Sequence, residues 1–362
     1  MRILFFIQGE GRGHQTQAIA MAEILQKAGH ELVGAIVGTT QGRGIPVLLE
    51  KHLSVEMRAF PSPALLYSEK SKSLAVWKTF WENLKQGSVY MQQAGKVEAY
   101  IQEKRPDVII NFYEMLCGLW RLRYKTSIPV LSIAHQYLLQ HSQFRLPTSS
   151  FLHHRIVNTV TRLSALGTTR KLALSFYEMP DDTKQDIYVI PPLLRAEVKD
   201  LVPQKEDFIL AYMTHYKLED DLRDWCRRHP ETTVVAFWAH PQAQKLETPL
   251  PNYRLHRVDA HLFLDAMRRC RGLVSTSGFE AICEAMYLGK PVMLFPTPQH
   301  FEQAVNAIDA ARAGAGIQAT SFLEMDRFLD YLPTHQPIED TFRLWQHQLE
   351  EKIRQQLVAV TG

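Results

Sequence analysis

The sequence predicts an α/β protein made of two doubly wound parallel sheets, and three observations lead there. At 362 residues the chain exceeds the usual size of a single core, so two domains are expected. Short buried-strand runs alternate with helical stretches along its length, as in βαβ units whose parallel strands need crossover connections. A proline-containing stretch, Pro191 to Pro203, separates two halves that repeat this scheme.

The elements follow in order. Arg2 to Ile7 is a buried-strand pattern, and Gly9 to Gly13 is a glycine-rich turn. Gln15 to Lys27 carries Ile19, Ala22, Ile24 and Leu25 at helical spacing and is closed by Gly29. Leu32 to Val37 is the next strand. Residues 67 to 95 form a helical excursion in which Leu74, Trp77, Trp81 and Leu84 share a face beside Lys70, Lys72, Lys78 and Lys85, a stripe that suits either core packing or a membrane or acceptor contact. Strands are expected at Val108 to Ile110, Val130 to Ile133 and Ile187 to Ile190, then at Phe208 to Met213, Thr233 to Trp238, Leu273-Val274 and Val292 to Phe295. The expected domains are residues 1–192 and 193–338, followed by a polar final helix, about Thr341 to Val358, within 339–362.

Composition narrows the class. With 46% hydrophobic and 22% charged residues the chain reads as an ordinary globular protein. No apolar run approaches the ~18 residues of a membrane span, and the first apolar run is too short for a secretory leader, so a cytoplasmic location is expected. Cys117, Cys226, Cys270 and Cys283 lack metal-ligand spacing and are expected as reduced core thiols, with no structural metal. The net charge of +3 is unevenly spread: Lys and Arg exceed Asp and Glu by seven over residues 1–190 and fall four short over the rest. Between Glu114 and Glu178 no carboxylate occurs, while Arg121, Arg123, Lys125, Arg145, Arg155, Arg162, Arg170 and Lys171 are joined by four histidines. Such a half attracts an anionic partner, a phosphorylated molecule or an acidic membrane surface, or is simply a solvated basic face. No helix-turn-helix, zinc-finger or RNP pattern accompanies the charge, so nucleic acid is not an expected partner.

Gly9-Glu10-Gly11-Arg12-Gly13-His14 follows the first strand and opens the first helix. A dinucleotide fingerprint would need a small residue at His14 and an acidic residue near Gly38-Thr39, so NAD binding is disfavoured. No Gly-Lys-Ser/Thr follows, which excludes a P-loop. The glycines still permit close backbone approach to a ligand, towards which Arg12 and His14 would point.

The chemistry is concentrated in Ser275 to Gly316. An apolar lead-in meets Ser275-Thr276-Ser277-Gly278, a helix follows, and Gly289-Lys290-Pro291 stops it before a buried strand. A helix opening on small residues leaves unpaired N–H groups and the positive end of its dipole towards a ligand, which suits a diphosphate. Glu284, and Glu302-Gln303 after Pro296-Thr297-Pro298, add carboxylate and amide groups suited to ribose and sugar hydroxyls.

The wording G-F-E-x-x-x-E-A-x-x-L-G-K-P with a later E-Q-x-x-N-A resembles the nucleotide-sugar motif of the GT-B glycosyltransferases, the superfamily of the UDP-glycosyltransferases and of the enzyme that adds N-acetylglucosamine to the lipid-linked peptidoglycan precursor. It is closest to a prokaryotic branch. The resemblance implies two Rossmann-like domains facing a cleft, a UDP-sugar donor without further cofactor, and a last helix crossing back to the first domain. It places the diphosphate at Ser275, Ser277 and Gly278, the ribose at Glu284, the sugar at Glu302 and Gln303, and the uracil between Phe263 and Met267, whose other reading is core packing; Thr214 would add a hydroxyl.

On the acceptor side the resemblance places Gly11, Arg12, Gly13 and His135, the last within Ser132-Ile133-Ala134-His135-Gln136. His14 matches the histidine that removes the acceptor proton in relatives, work that an imidazole suits because it titrates near neutrality; it could instead bind acceptor phosphate. Where relatives orient that histidine with an aspartate, Pro106-Asp107 leads to Asn111, which has no charge. Glu114 is the nearest substitute, as a second candidate base or as a partner of the Arg121 to Lys125 cluster. Two other departures stand out. Plant and animal relatives place histidine, asparagine and serine where this chain has Thr276, Glu280 and Ala281, so backbone donors must hold more of the phosphate; and no D-x-D metal motif stands at a strand end. The expectation is a metal-independent, inverting glycosyltransferase with a lipid-linked or phosphorylated acceptor, working in the cytoplasm or at the inner face of the membrane. A nucleotide-sugar epimerase or hydrolase, or a sugar-nucleotide binding protein without turnover, would use the same seat.

Overall fold

The computed structural model describes residues 1–40, 43–63, 87–146, 151–213, 218–238, 240, 243–297 and 300–362, without the side chains of 151–153. The chain forms two compact units, Met1–Arg195 with Trp345–Gly362, and Ala196–Leu344. Most of the helical excursion expected over 67–95 lies outside the described residues; its end belongs to the helix Gly87–Lys104.

The first unit is a seven-stranded parallel sheet, β1 (Arg2–Gln8), β2 (Glu31–Thr39), β3 (Met57–Pro61), β4 (Val108–Phe112), β5 (Val130–Ala134), β6 (Arg170–Leu174) and β7 (Ile187–Ile190), in the order β3-β2-β1-β4-β5-β6-β7. Ile3 to Ile7 are fully buried, as a central parallel strand covered on both faces must be. On one face Leu4, Phe6, Ile36 and Ile109 pack against Tyr100 and Trp120 from the covering helices Gly87–Lys104 and Met115–Arg123. Trp120 Nε1 donates to Glu98 at 2.6 Å, which keeps the indole N–H partnered inside the packing.

The second unit is likewise seven-stranded: β8 (Ile209–Met213), β9 (Val234–Trp238), β10 (Leu246–Leu250), β11 (Tyr253–Arg257), β12 (Gly272–Ser275), β13 (Val292–Leu294) and β14 (Gly316–Gln318), ordered β10-β11-β9-β8-β12-β13-β14. All neighbours are parallel except β10 and β11. β10 is an edge strand, which is where Pro249 can sit without breaking a ladder.

Both sheets reverse their winding once, between β1 and β4 in the first unit and between β8 and β12 in the second. Connections leaving neighbouring strands there run to opposite faces, opening a crevice at the carboxyl ends of the strands. The sequence turns singled out above, Gly9–Gly13 after β1 and Thr276–Gly278 after β12, emerge at these two points.

One expectation needs correction. The single final helix over 341–358 is two, Glu339–His347 and Leu349–Thr361. Neither glycine nor proline marks the break at Gln348, so no local signal announces it. From Trp345 onward the chain packs on the first unit: Trp345 Nε1 donates to the Ser175 carbonyl at 2.9 Å, Gln346 Nε2 to that of Pro192 at 2.9 Å, and Arg170 to Gln356 at 2.6 Å. Among the described residues no helix is long and apolar enough to cross a membrane.

Candidate functional site

In the first unit the glycine turn is tied to the end of β2. Gly9 N–H donates to the Gly38 carbonyl at 2.8 Å, and a Cβ at Gly9 would lie 2.7 Å from that oxygen, which explains glycine there. Gly11 begins the helix Arg12–Lys27 with no side-chain cap, so the first N–H groups of this helix are not closed off by its own cap residue. Arg12 is exposed, Gly13 and His14 half-buried. The His14 imidazole lies nearly parallel to the Tyr113 ring, 5.3 Å between centroids and 16° between planes. Its Nδ1 is 3.3 Å from Gln17 Oε1. An amide oxygen only accepts, so Nδ1 carries the proton in this arrangement and Nε2 the lone pair.

Asn111, at the end of β4, is fully buried and occupied by neighbours: it donates to the Ser164 carbonyl at 2.7 Å and to Ser132 Oγ at 3.3 Å, and its Oδ1 accepts the Glu114 N–H at 2.9 Å. These bonds shape the β4 exit, where Tyr113 takes a left-handed φ of 58°. Glu114 then caps the helix Met115–Arg123, accepting from Leu116 N–H at 2.8 Å and from the Ser62 hydroxyl. A Cβ on Gly38 would sit 1.9 Å from Glu114 Oε2, so the carboxylate is packed directly against that glycine. Burial pushes its pKa up to about 7, against the pull of the Ser62 and Leu116 bonds, and Glu10 adds to the rise. Arg121 turns its guanidinium to the carbonyls of Gly167 and Thr126. His135, on the first turn after β5, is buried, with Nδ1 donating to the Leu174 carbonyl at 2.8 Å and the ring against Phe176.

The structure thus gathers Gly11, Arg12, Gly13 and His14 on one turn, with Glu114 enclosed behind Gly38 and His135 inside the fold at the β5 exit. Tyr113 was missed in the sequence, because a ring stack between residues 14 and 113 has no local signature.

In the second unit Ser275 ends β12, in register with Tyr212 and Leu294. Ser277 is left-handed at φ 59°, and its carbonyl accepts from Asn306 Nδ2 at 3.0 Å. A serine held at positive φ costs about 1 kcal/mol or more. Gly278 begins the helix Phe279–Tyr287 without a side-chain cap, and a Cβ there would meet nothing within 4 Å. Ser275 Oγ and Ser277 Oγ are buried and make no hydrogen bond among the described residues, nor does Asn306 Oδ1. An uncapped helix start beside buried hydroxyls that lack a partner among the described residues is a place where an anion would satisfy several donors together.

Around this turn, Gln303 is buried and its Oε1 accepts the Thr297 N–H at 2.7 Å, so it holds the loop after β13. Glu302, half-buried, lies on the same first turn of the helix Phe301–Arg312. His300 caps that helix through Nδ1, 3.4 Å from the Gln303 amide, and burial lowers its pKa. Glu284 is buried on the helix that starts at Ser277-Gly278. Phe263 packs on Tyr212 and Phe237 at 5.3 and 5.4 Å, and Met267 is fully buried on the same helix, Ala260–Arg269. Thr214 lies outside the described residues. Asn306 stood within the E-Q-x-x-N-A wording but was not singled out. Among the described residues no group of three or more His, Cys, Asp or Glu is placed to hold a metal ion.

Residues 1–333 match the model of glycosyl transferase family 1. Two proteins named as uncharacterized glycosyltransferases are similar over most of their length: one from Methanosarcina acetivorans, 22% identical over 87% of this chain and 85% of its own, and one from Methanosarcina mazei, 21% identical over the same shares. Among solved structures, the calicheamicin glycosyltransferase superposes with a TM-score of 0.63 at 14% identity, covering 100% of this chain and 98% of its own. UGT89C1 of Arabidopsis thaliana, in complex with UDP-L-rhamnose, superposes at 0.65 and 12% identity, covering 100% and 99%. The chain therefore belongs to glycosyl transferase family 1 and is a glycosyltransferase with the two-sheet GT-B fold.

Proposed function

We propose that this enzyme moves a sugar from a UDP-type donor to an acceptor hydroxyl, without a metal ion and with inversion at the anomeric carbon. The observation that carries the reading is the turn Ser275–Gly278: an uncapped helix start at the switch point of the second sheet, with two buried hydroxyls that have no hydrogen-bond partner among the described residues. The donor's diphosphate fits there, stabilised by the helix N–H groups and dipole as charge builds on the leaving group. UDP-L-rhamnose in the similar plant protein supports a uridine donor. Glu284 binds the ribose hydroxyls, with Glu302 and Gln303 towards the sugar and Phe263 and Met267 towards the base.

In the reaction, the acceptor oxygen forms a bond to the anomeric carbon as the bond from that carbon to the β-phosphate oxygen breaks. UDP leaves with the electron pair, and the hydroxyl proton passes to His14 Nε2, the nitrogen whose lone pair the Gln17 contact leaves in place. Glu114, enclosed and engaged in capping, supports the turn rather than taking that proton. The acceptor is anionic, phosphorylated or lipid-linked, in keeping with the carboxylate-free basic stretch of the first unit.

A thermal-shift panel of nucleotides and nucleotide sugars tests the donor. UDP and UDP-sugars are expected to raise the melting temperature as ligand binding to the folded state must, and Glu284→Ala to weaken that gain. A response selective for adenine nucleotides would overturn the donor assignment. Release of UDP with free sugar alone, or an epimerised donor, would replace transfer by hydrolysis or epimerisation.

A further inference from the structure

We propose that Tyr113 is the positioning residue of the His14 imidazole, fixing the plane of the ring by stacking; this rests on the reading of His14 as the base. His14 lies in the first turn of an uncapped helix and is half-buried, and the bond to Gln17, a side chain one turn along the same helix, is long at 3.3 Å. The ring torsion of a histidine is broad and roughly two-fold, so its plane is set by what packs against it. Tyr113 supplies that surface at 5.3 Å and 16°. A stack of this kind is worth about 0.5–1.5 kcal/mol beyond buried area, enough to favour one plane by several-fold.

Tyr113 is itself held from three sides. Its hydroxyl is 2.6 Å from Thr161 Oγ1, its ring meets Tyr137 edge-on at 6.0 Å, and Asn111 bonds the next residue's amide. The backbone at Tyr113 is left-handed, φ 58°, a conformation that costs a bulky residue about 1–3 kcal/mol and persists only where the surroundings impose it. The strained turn that Asn111 and Glu114 build thus holds a ring against His14. Asn111 acts on the base through backbone shape and a neutral aromatic face, with no charge of its own.

The test reads the ring directly and then the turnover. In the full-length protein, the His14 ring protons, assigned by their loss in His14→Ala, are expected upfield of free histidine under the Tyr113 ring current. Tyr113→Phe keeps that displacement and Tyr113→Leu abolishes it. With the UDP-sugar giving the largest thermal shift, UDP release should fall several-fold, up to about tenfold, in kcat for Tyr113→Leu, with KM for the donor little changed and Tyr113→Phe near the parent. His14 protons that ignore Tyr113→Leu, or equal losses in the Phe and Leu variants, overturn the proposal by itself. Full turnover in His14→Ala overturns the base reading, and this proposal falls with it, while a preserved ring-current shift would show that the stack exists.

Discussion

Glu114 shows how an enclosed carboxyl couples a local turn to pH. Burial raises its pKa from 4.5 to about 7, while two hydrogen bonds oppose the rise. A carboxyl whose folded-state value lies above its unfolded one binds more protons when folded. Its stabilising contribution is therefore complete below about pH 4.5 and is lost as pH rises through about 7. A shift of this size corresponds to about 3 kcal/mol as an upper bound. Glu114→Gln keeps an acceptor for Ser62 and Leu116 and cannot ionise. Its stability relative to the parent is expected to rise by about 2–3 kcal/mol between pH 4.5 and pH 8, read from urea unfolding at both ends; every other titrating group cancels in the comparison. Parallel pH profiles for the two proteins would mean that the carboxyl does not titrate in this window. Because Glu114 is enclosed, UDP release should survive the same substitution within a few-fold, in contrast to His14→Ala.

At the scale of elements, the two turns at the switch points differ in what holds them. In the turn after β1 the missing side chain of Gly9 lets the backbone close onto the Gly38 carbonyl, whereas the turn after β12 keeps a serine in a glycine-like conformation beside the Asn306 bond. Ser277→Gly should therefore stabilise the fold by up to about 1 kcal/mol, since glycine adopts positive φ freely. Loss of the hydroxyl should weaken UDP binding by about tenfold to a hundredfold, the worth of one hydrogen bond to a charged group. Thermal melting and UDP titration of one variant check both signs, and tighter UDP binding would refute the assignment of that hydroxyl. These turns were legible in the sequence because Ser and Gly runs between an apolar strand and a helix have few other uses. β1, β4 and β7 were legible because strands buried on both faces are continuous apolar runs. β6 opens on Arg170 and Lys171, β10 contains Pro249 on an edge, and β14 spans three residues, so none carries that signal. Tyr113 and Asn306 escaped notice for a different reason: their contacts join residues far apart in sequence, and only the packed turn brings them together.

For the molecule as a whole, the uneven charge seen in the sequence becomes a surface on the first unit. Arg123, Lys125, Arg145, Arg155 and Arg162 are exposed, and Leu122 and Leu163 are exposed among them at 63% and 43%. The helices Met115–Arg123 and Phe151–Ser164 meet at Gly118, where a Cβ would lie 2.1 Å from the Leu163 carbonyl, so Leu122, one turn on from Gly118, and Leu163 lie on neighbouring helices that also carry Arg123, Arg155 and Arg162. Cations around exposed aliphatic side chains match an acidic lipid surface, which rewards each Lys or Arg near it by about 1 kcal/mol and an inserted leucine separately. A phosphorylated soluble acceptor would use the charge but leave the leucines without a role. Sedimentation with vesicles separates these. Binding is expected to vesicles containing anionic lipid and not to neutral ones, and to be lost at about 0.5 M salt, where screening shortens to a few ångströms. Reversing two charges with Arg123→Glu and Arg162→Glu should weaken it by about 25-fold or more, from about 1 kcal/mol per site, and Leu122→Ser should weaken it with little change in salt dependence. Equal binding to neutral and anionic vesicles, or none to either, would exclude an acidic lipid surface as the partner of these cations and leave the basic stretch to a soluble anion.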